Sequence, residues 1–319
     1  MARPKTSAGD VLFQGGTGLF ALVIVIVTAG IAVVLWDRSS LSIAKFGFGF
    51  WATDRWDPVS GDFGARTFIW GTLYSSVLAL IISTPLALGI AVFLSELCPH
   101  RLRQPLAFLT ELLAAIPSIV YGLWGIFVLV PAIRAVEQAL PDWLRATPFF
   151  SGPAVGVGMM SAAVVLAVMI VPFSSAVARE VLKAVPAAQR EGAYALGATR
   201  WEATKIALYY TRVGIVGAVM LGLGRALGET MAVTMVIGNT PQVSASLLAP
   251  QYTMAAVIAN EFAEATSPLH ISALVEIGLV LFTVTLIVNA ASRLLIWRMT
   301  RRPFERLVAA PLVPEERSA

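Results

Sequence analysis

Val185-Pro186-Ala187-Ala188-Gln189-Arg190-Glu191-Gly192-Ala193-Tyr194-Ala195-Leu196-Gly197-Ala198-Thr199-Arg200-Trp201 lies between two long apolar runs, and its reading decides how the chain is organised. Val185-Pro186 opens a helix, because proline's fixed φ suits the first turn, where its missing N–H is no loss. Leu196-Gly197-Ala198 closes it, because glycine adopts the left-handed cap conformation without a Cβ penalty. Thr199 then serves as N-cap of a second helix beginning at Arg200-Trp201. Small residues at Ala187, Ala188, Gly192, Ala193 and Ala195 leave a helix that another protein can approach closely. The plainer alternative is a short solvated linker.

On either side of this segment the chain is built for lipid. Hydrophobic residues make up 57% of the 319-residue sequence, charged residues 13%, and the mean hydropathy is +0.79. A soluble domain carries about 25% charged residues. Too little polar surface remains to coat such a chain, so lipid must be part of its solvent. A bilayer core about 30 Å thick needs about 20 apolar residues per helix. Six segments meet that test, at 18–36, 67–95, 105–132, 153–178, 212–237 and 272–297. The first follows Arg3 and Lys5, exceeds a signal-peptide core in length and lacks a small-x-small cleavage site. It reads as an uncleaved span rather than a removed signal peptide. Pro85, Pro117 and Pro172 fall inside spans and predict kinks packed against protein.

The placement of Lys and Arg sets the orientation. The N-terminus, the second and fourth loops and the C-terminal tail together hold sixteen; the first and third loops hold six and the fifth none. Both termini and the 185–201 segment are therefore expected in the cytoplasm, which an even number of spans allows. The chain divides into a cytoplasmic N-terminus at 1–17, a transmembrane domain at 18–300 with a cytoplasmic loop at about 179–211, and a cytoplasmic tail at 301–319. The tail reads as disordered beyond Arg306. Outside, residues 37–66 mix Asp54, Asp57 and Asp62 with Trp51, Trp56 and several phenylalanines, which suggests an interfacial belt. Within the outer stretch 238–271, residues 251–265 suggest a short amphipathic or re-entrant helix.

Several chemistries are excluded. Cys98 is the only cysteine, so no disulfide forms within the chain. His100 and His270 are far apart, which argues against a metal cluster. No catalytic grouping of His, Asp and Glu is visible, which argues against a membrane-embedded enzyme. A P-loop requires Gly-Lys-Ser/Thr, and none of Lys5, Lys45, Lys183 and Lys205 follows a glycine. A nucleotide-driven role would need a partner.

The fifth span reads Gly222-Leu223-Gly224-Arg225-Ala226-Leu227-Gly228-Glu229-Thr230. An arginine deep in a span costs at least about 2.5 kcal/mol on insertion scales. The spacing of Arg225 and Glu229 predicts one helical face, where they can neutralise each other. Glycines 214, 217, 222, 224 and 228 predict close helix packing. Two readings stand together. One is a neutral ion pair that fixes packing. The other is a polar station for an anion, with Arg225 gripping a tetrahedral oxyanion through parallel hydrogen bonds and Glu229 orienting it and easing release. Glu111 and Glu276, near span ends, read as local hydrogen-bonding groups, and Met159, Met160 and Met169 as packing.

The 185–201 segment resembles the cytoplasmic coupling loop of ABC importer permeases, whose pattern is Glu-Ala-Ala, three residues, Gly, and later Ile-x-Leu-Pro. Here stand Glu191-Gly192-Ala193, Gly197 and Ile206-x-Leu208, with Gly192 in place of the middle alanine and Tyr209 in place of the proline. Gly-Arg-Ala-x-Gly-Glu-Thr in span five resembles the permeases of the phosphate-specific Pst system. So do Ile116-Pro117-Ser118-Ile119-Val120-Tyr121-Gly122 and Met169-Ile170-Val171-Pro172-Phe173. Trp56-Asp57-Pro58 and Phe63-Gly64-Ala65 before Gly71-Thr72 favour that system's PstC-type subunit over its PstA-type partner.

The resemblance covers about residues 15–300. It implies an all-α polytopic membrane protein of about six transmembrane helices with the type I, MetI-like importer fold. It implies a permease subunit, not an enzyme, that moves inorganic phosphate across the bacterial inner membrane, phosphonate or sulfate being the nearest alternatives. Its expected partners are a PstA-type permease, a PstB-type ATPase dimer and a PstS-type periplasmic phosphate-binding protein. Arg225 and Glu229 would line the substrate pathway, and Glu191, Gly192, Ala193 and Gly197 would couple it to the ATPase. No cofactor, metal or nucleic acid is expected.

Overall fold

A backbone in hydrocarbon has no water to bond, so each apolar run closes its own hydrogen bonds as a helix. The computed structural model describes residues 8–308. α1 (Ala8–Arg38) is the first span. Two short helices follow, α2 (Ser40–Phe46) and α3 (Gly49–Ala52), then a hairpin of β1 (Trp56–Asp57) and β2 (Asp62–Phe63). Trp56 pairs with Phe63 and Asp57 with Asp62. α4 (Arg66–Val92) ends in a π-helical turn, Phe93–Leu97. α5 (His100–Ala115) is amphipathic. α6 (Ser118–Trp124), a second π-helical turn (Gly125–Leu129) and α7 (Val130–Gln138) form one span, followed by the single turn α8 (Asp142–Arg145). α9 (Met159–Lys183), α10 (Ala187–Ala195) and α11 (Arg200–Leu227) come next. α12 (Met231–Val236), α13 (Met254–Glu261) and α14 (Pro268–Val308) complete the chain.

Six of these helical stretches are long and apolar enough to cross a membrane, as composition demands. Two boundaries differ from the sequence reading. The third span was expected at 105–132 but begins at Ser118. Pro117 forces Ile116 out of the helical region (ψ 130°), so α5 and α6 are separate helices. Pro117 is thus the N-cap of the span, whereas Pro85 and Pro172 lie inside continuous helices. The fifth span was expected at 212–237, yet α11 starts at Arg200 and stops at Leu227. A Thr199–Glu202 capping box sets its start, and Gly228 is its C-cap.

The outer ends of the chain also differ. α1 begins at Ala8 and α14 continues to Val308, so helix extends past both expected domain edges at 18 and 300. Residues 1–7 and 309–319, including most of the expected disordered tail, lie outside the described residues.

α9 is the central post. Its apolar window is 61% buried, against 0% for α1. Ala162, Val165, Leu166 and Ile170 on α9 pack with Ala226, Ala232, Val233 and Val236. At one end Ala178 and Leu182 meet Ala91, Ala207 and Ala218. A third cluster joins Phe50, Phe63, Phe68, Tyr252, Leu274 and Ile277. The 37–66 stretch is mostly exposed and anchors itself through a few side chains: Phe50 and Phe63 are buried, while Phe48 is exposed. The helix expected within 251–265 is α13.

Candidate functional site

Two places gather the residues singled out by the sequence. The first is the helix–turn–helix between α9 and α11. Pro186 is the N-cap of α10, as its fixed φ suggests. Gly197 lies in the left-handed region (φ +82°), with its N–H donating to Tyr194 O at 2.9 Å and the Ala198 N–H to Ala193 O at 3.0 Å. This is the Schellman closure that glycine permits. Thr199 Oγ1 accepts from Glu202 N, and Glu202 accepts from Thr199 N at 2.7 Å, which starts α11.

The surface this turn presents is open. Glu191 and Gly192 are exposed, a Cβ on Gly192 would meet nothing, and Leu196 is 91% exposed. Tyr194 and Trp201 are also exposed. Ala193 differs from its neighbours, being buried inside the turn. It shapes the helix–turn–helix and does not lie on its outer face.

What holds α10 in place follows from no local motif. Arg190 Nη2 and Nε donate to Glu96 Oε1 and Oε2 at 2.8 and 3.2 Å. The same guanidinium donates to Leu182 O and Val185 O, each at 2.9 Å. These carbonyls lie at and just beyond the end of α9, and Leu182 O also accepts from Val185 N at 3.3 Å. Nearby, Arg179 is buried and donates to Glu111 at 2.8 Å and Glu180 at 3.0 Å. Glu111 thus makes the local bond expected of it. These pairs span 94 and 68 residues of sequence, so no local spacing rule could find them.

The second place is α11 and the break after it. Here Arg225 and Glu229 do not pair. The helix ends at Leu227, and Glu229 Oε1 accepts from Ala232 N at 3.2 Å at the start of α12. Among the described residues, the Arg225 side chain has neither hydrogen bond nor ion pair. Its guanidinium lies over the Phe173 ring at 6.0 Å, and its charge reaches the Tyr121 hydroxyl. Arg225 is exposed on this chain.

The glycines of α11 divide into two faces. A Cβ on Gly214 would meet Val181 at 2.4 Å, and one on Gly222 would meet Ser174 Oγ at 2.7 Å. With buried Ala218 between them, these positions pack on α9. A Cβ on Gly217 or Gly224 would meet nothing within 4 Å. Those two, with Leu221, Arg225 and Gly228, form a face left open by this chain.

Other groups fill in the frame. Met159 and Met169 are buried in the core, as packing requires. Glu276 is buried in α14 beside the Ser42 side chain, with Oε2 unpartnered. Buried Glu137 accepts from Gly156 N at 2.8 Å, a lock the sequence did not suggest. On the face away from α10, Glu261 Oε2 accepts from Trp56 Nε1 at 2.8 Å and contacts His270 Nε2 at 3.1 Å. Beside them Tyr252 accepts from Asn260 at 3.0 Å, and burial pushes its phenol up to about 12. No grouping of three or more metal-ligating side chains occurs among the described residues.

Comparison with known proteins agrees with this geometry. Residues 83–301 match the family described as binding-protein-dependent transport system inner membrane component. The chain is 44% identical over 299 residues to the phosphate transport system permease protein PstC of Mesorhizobium japonicum, covering 92% of this chain and 91% of that one. It is 47% identical to the PstC protein of Pasteurella multocida (92% and 93% covered) and 48% identical to that of Haemophilus influenzae (90% and 93%). Its fold matches a chain of the MetNI methionine ABC transporter in inward-facing conformations, with a TM-score of 0.55 and 17% identity over 73% of this chain and 94% of that one. A multi-pass helical chain with this fold, an open helix–turn–helix and relatives of this identity and coverage belongs to the binding-protein-dependent inner membrane permeases and, within them, to the PstC type of the phosphate transport system.

Proposed function

We propose that this chain is one of two permease subunits of an ATP-driven importer for inorganic phosphate in the bacterial inner membrane. The observation that carries the reading is the set of phosphate permease relatives at 44–48% identity over 90–92% of the chain. The partners would be a PstA-type permease, a pair of PstB-type ATPases and a PstS-type phosphate-binding protein on the periplasmic side. The loop charges support cytoplasmic termini, with sixteen Lys and Arg against six.

Arg225 would serve the substrate path. Its guanidinium has no hydrogen bond or ion pair among the described residues and stands on the glycine-lined open face of α11. A second permease closing that face would leave the planar fork free to receive a tetrahedral oxyanion through two parallel hydrogen bonds. Glu229 fixes the break that ends α11 just beyond Arg225 by receiving the Ala232 N–H. Its carboxylate would also temper the positive charge so that phosphate can leave. The earlier idea of a self-neutralised ion pair loses its support, since no such pair forms.

At the other end, the exposed Glu191–Gly192–Leu196 surface would seat on an ATPase subunit, and Gly197 would keep the turn in shape. Binding-protein docking outside and nucleotide-driven closure inside would then alternate access to the path. Uptake of labelled phosphate and sulfate, measured in cells lacking phosphate import and supplied with this chain and its partners, tests the reading. Phosphate uptake is expected. Movement of sulfate without phosphate would overturn the substrate.

A further inference from the structure

α10 is held to the membrane helices in three ways, one of them the bonds from Arg190 to Leu182 O and Val185 O at the end of α9. It packs on the start of α11, which follows it in sequence. It is also tied to α4 through Arg190 and Glu96. A cavity of about 350 Å³, lined by Glu96, Leu97, Cys98, Tyr194, Arg200 and Thr204, lies beside that tie. Apolar packing therefore does not bridge α10 to the end of α4 at this point.

The chemistry of the tie is specific. Arg190 gives Glu96 a fork of two hydrogen bonds and gives two more to carbonyls at and just beyond the end of α9. Both side chains are largely shielded, at 23% and 13% exposure. A two-bond fork fixes angle as well as distance, which a lysine ammonium would not do. Glu96 sits in the π-helical turn Phe93–Leu97, where the helix is wider by one residue. Such turns are often found at functional positions.

α4 then leads from this joint to the opposite end of the chain. Its 27 residues span about 40 Å at 1.5 Å per residue. Near its other end, Trp70 Nε1 donates to Ser244 O at 2.8 Å and Tyr74 OH to Ala245 O at 2.7 Å. Met254 N donates to Thr72 Oγ1 at 2.9 Å, and Gly71 lies so close to Tyr252 O that a Cβ there would sit 2.1 Å from it. One continuous helix, with Pro85 inside it, thus grips the 244–254 segment at one end and α10 at the other.

We infer that the Arg190–Glu96 fork is the joint that passes displacement of α10 to α4 and so to the 244–254 segment, which makes both residues positioning residues for transport. This rests on the reading of α10 as the ATPase-docking helix. A moving α10 pulls on Glu96 through a directional contact, and α4 carries the pull along its length. Without the fork, α10 would keep its hold on α11 and the end of α9 but lose its tie to α4, and ATP hydrolysis would continue with less transport.

Glu96→Gln is the decisive variant, because among the described residues the Glu96 side chain bonds to Arg190 alone and the change leaves the Arg190 bonds to Leu182 O and Val185 O intact. In the assembled complex in proteoliposomes, the measured quantity is ATP hydrolysed per phosphate taken up. The expected result is near-normal ATP hydrolysis with the ratio raised about tenfold, in the range for residues along a coupled network. Arg190→Lys should raise it as well. An unchanged ratio, or uptake and hydrolysis falling in proportion, overturns the joint.

A second measurement covers a chain that assembles poorly. Glu96→Cys and Arg190→Cys, in a Cys98→Ser background, can be joined by a short bismaleimide. Linking should lower the ratio toward the wild-type value relative to the unlinked sample, and a ratio that does not fall overturns the joint. Docking is read separately, by capture of the ATPase on the wild-type and Gly197→Asp chains. Equal capture by both overturns the docking reading. Normal capture by the Glu96→Gln chain with a normal ratio overturns the joint alone.

Discussion

Arg190 and Arg225 are the same residue type put to opposite uses. Arg190 is shielded and makes four hydrogen bonds, two of them to a glutamate 94 residues away. Arg225 is exposed on this chain, has a glutamate four residues away, and does not bond to it. Proximity in sequence was the poor guide, because the helix that would have aligned Arg225 with Glu229 ends at Leu227. A satisfied arginine holds structure together. An unsatisfied one inside an apolar span is available to something from outside the chain.

The largest effect expected is on transport. Arg225→Leu should lower phosphate uptake about 100-fold, the loss of two charge-assisted hydrogen bonds, while the complex still assembles. Arg225→Lys should also be damaging, since a point charge lacks the fork. Wild-type uptake by the leucine variant would dissolve the contrast between the two arginines.

Stability should rank them the other way. Arg190→Ala strands the carboxylate of Glu96 and takes a donor from Val185 O in shielded surroundings, and should destabilise the chain by about 1–3 kcal/mol. Arg225→Ala should change the thermal midpoint in detergent very little, since it breaks no hydrogen bond or ion pair among the described residues. A larger drop for Arg225→Ala would show that it is the structural arginine after all.

The two faces of α11 sharpen the same contrast. Gly222→Val places a methyl against Ser174 and Ile170 and should destabilise by about 1–3 kcal/mol, the usual range for overpacking. A Cβ on Gly224 meets nothing within 4 Å among the described residues, so melting of Gly224→Ala should be near wild type and that of Gly224→Val should fall less than that of Gly222→Val. Co-purification with the second permease should weaken, because the added side chain lies on the open face. Equal retention of that partner by Gly224→Val would leave the open face without its proposed occupant.

The smallest effect concerns burial at the outer end. Ultraviolet titration should show Tyr252 deprotonating near 12, with Tyr252→Phe removing that step. The phenol's folded value is raised, so its stabilising effect is fully present below 10, its ordinary value, and fades as pH rises from 10 toward 12. A midpoint near 10 would mean that the cluster around Tyr252 is open to water.

Much of the architecture was legible because it rests on local rules. Gly197, Thr199 and Pro186 each specify their own φ or hydrogen bond, and the turn between α10 and α11 forms as they direct. Span three was misplaced because hydropathy cannot distinguish an amphipathic helix that runs into a proline from the start of a crossing. In the 37–66 stretch, aromatic residues suit an interface and a core equally well. Only packing against α13 and α14 assigned Phe50 and Phe63 to the core.

By itself, the sequence determined that the chain crosses a membrane about six times, that it carries no nucleotide site of the P-loop kind, and that a helix–turn–helix interrupts its fourth and fifth spans. These follow from composition, from short motifs and from the torsional demands of single residues, all of which act within a few positions. The tertiary structure decided which glutamate each arginine finds, which glycines face α9 and which are left open, and that Arg225 has no hydrogen bond or ion pair among the described residues. Those outcomes depend on contacts between residues far apart in the chain, and they exist only once the helices have packed.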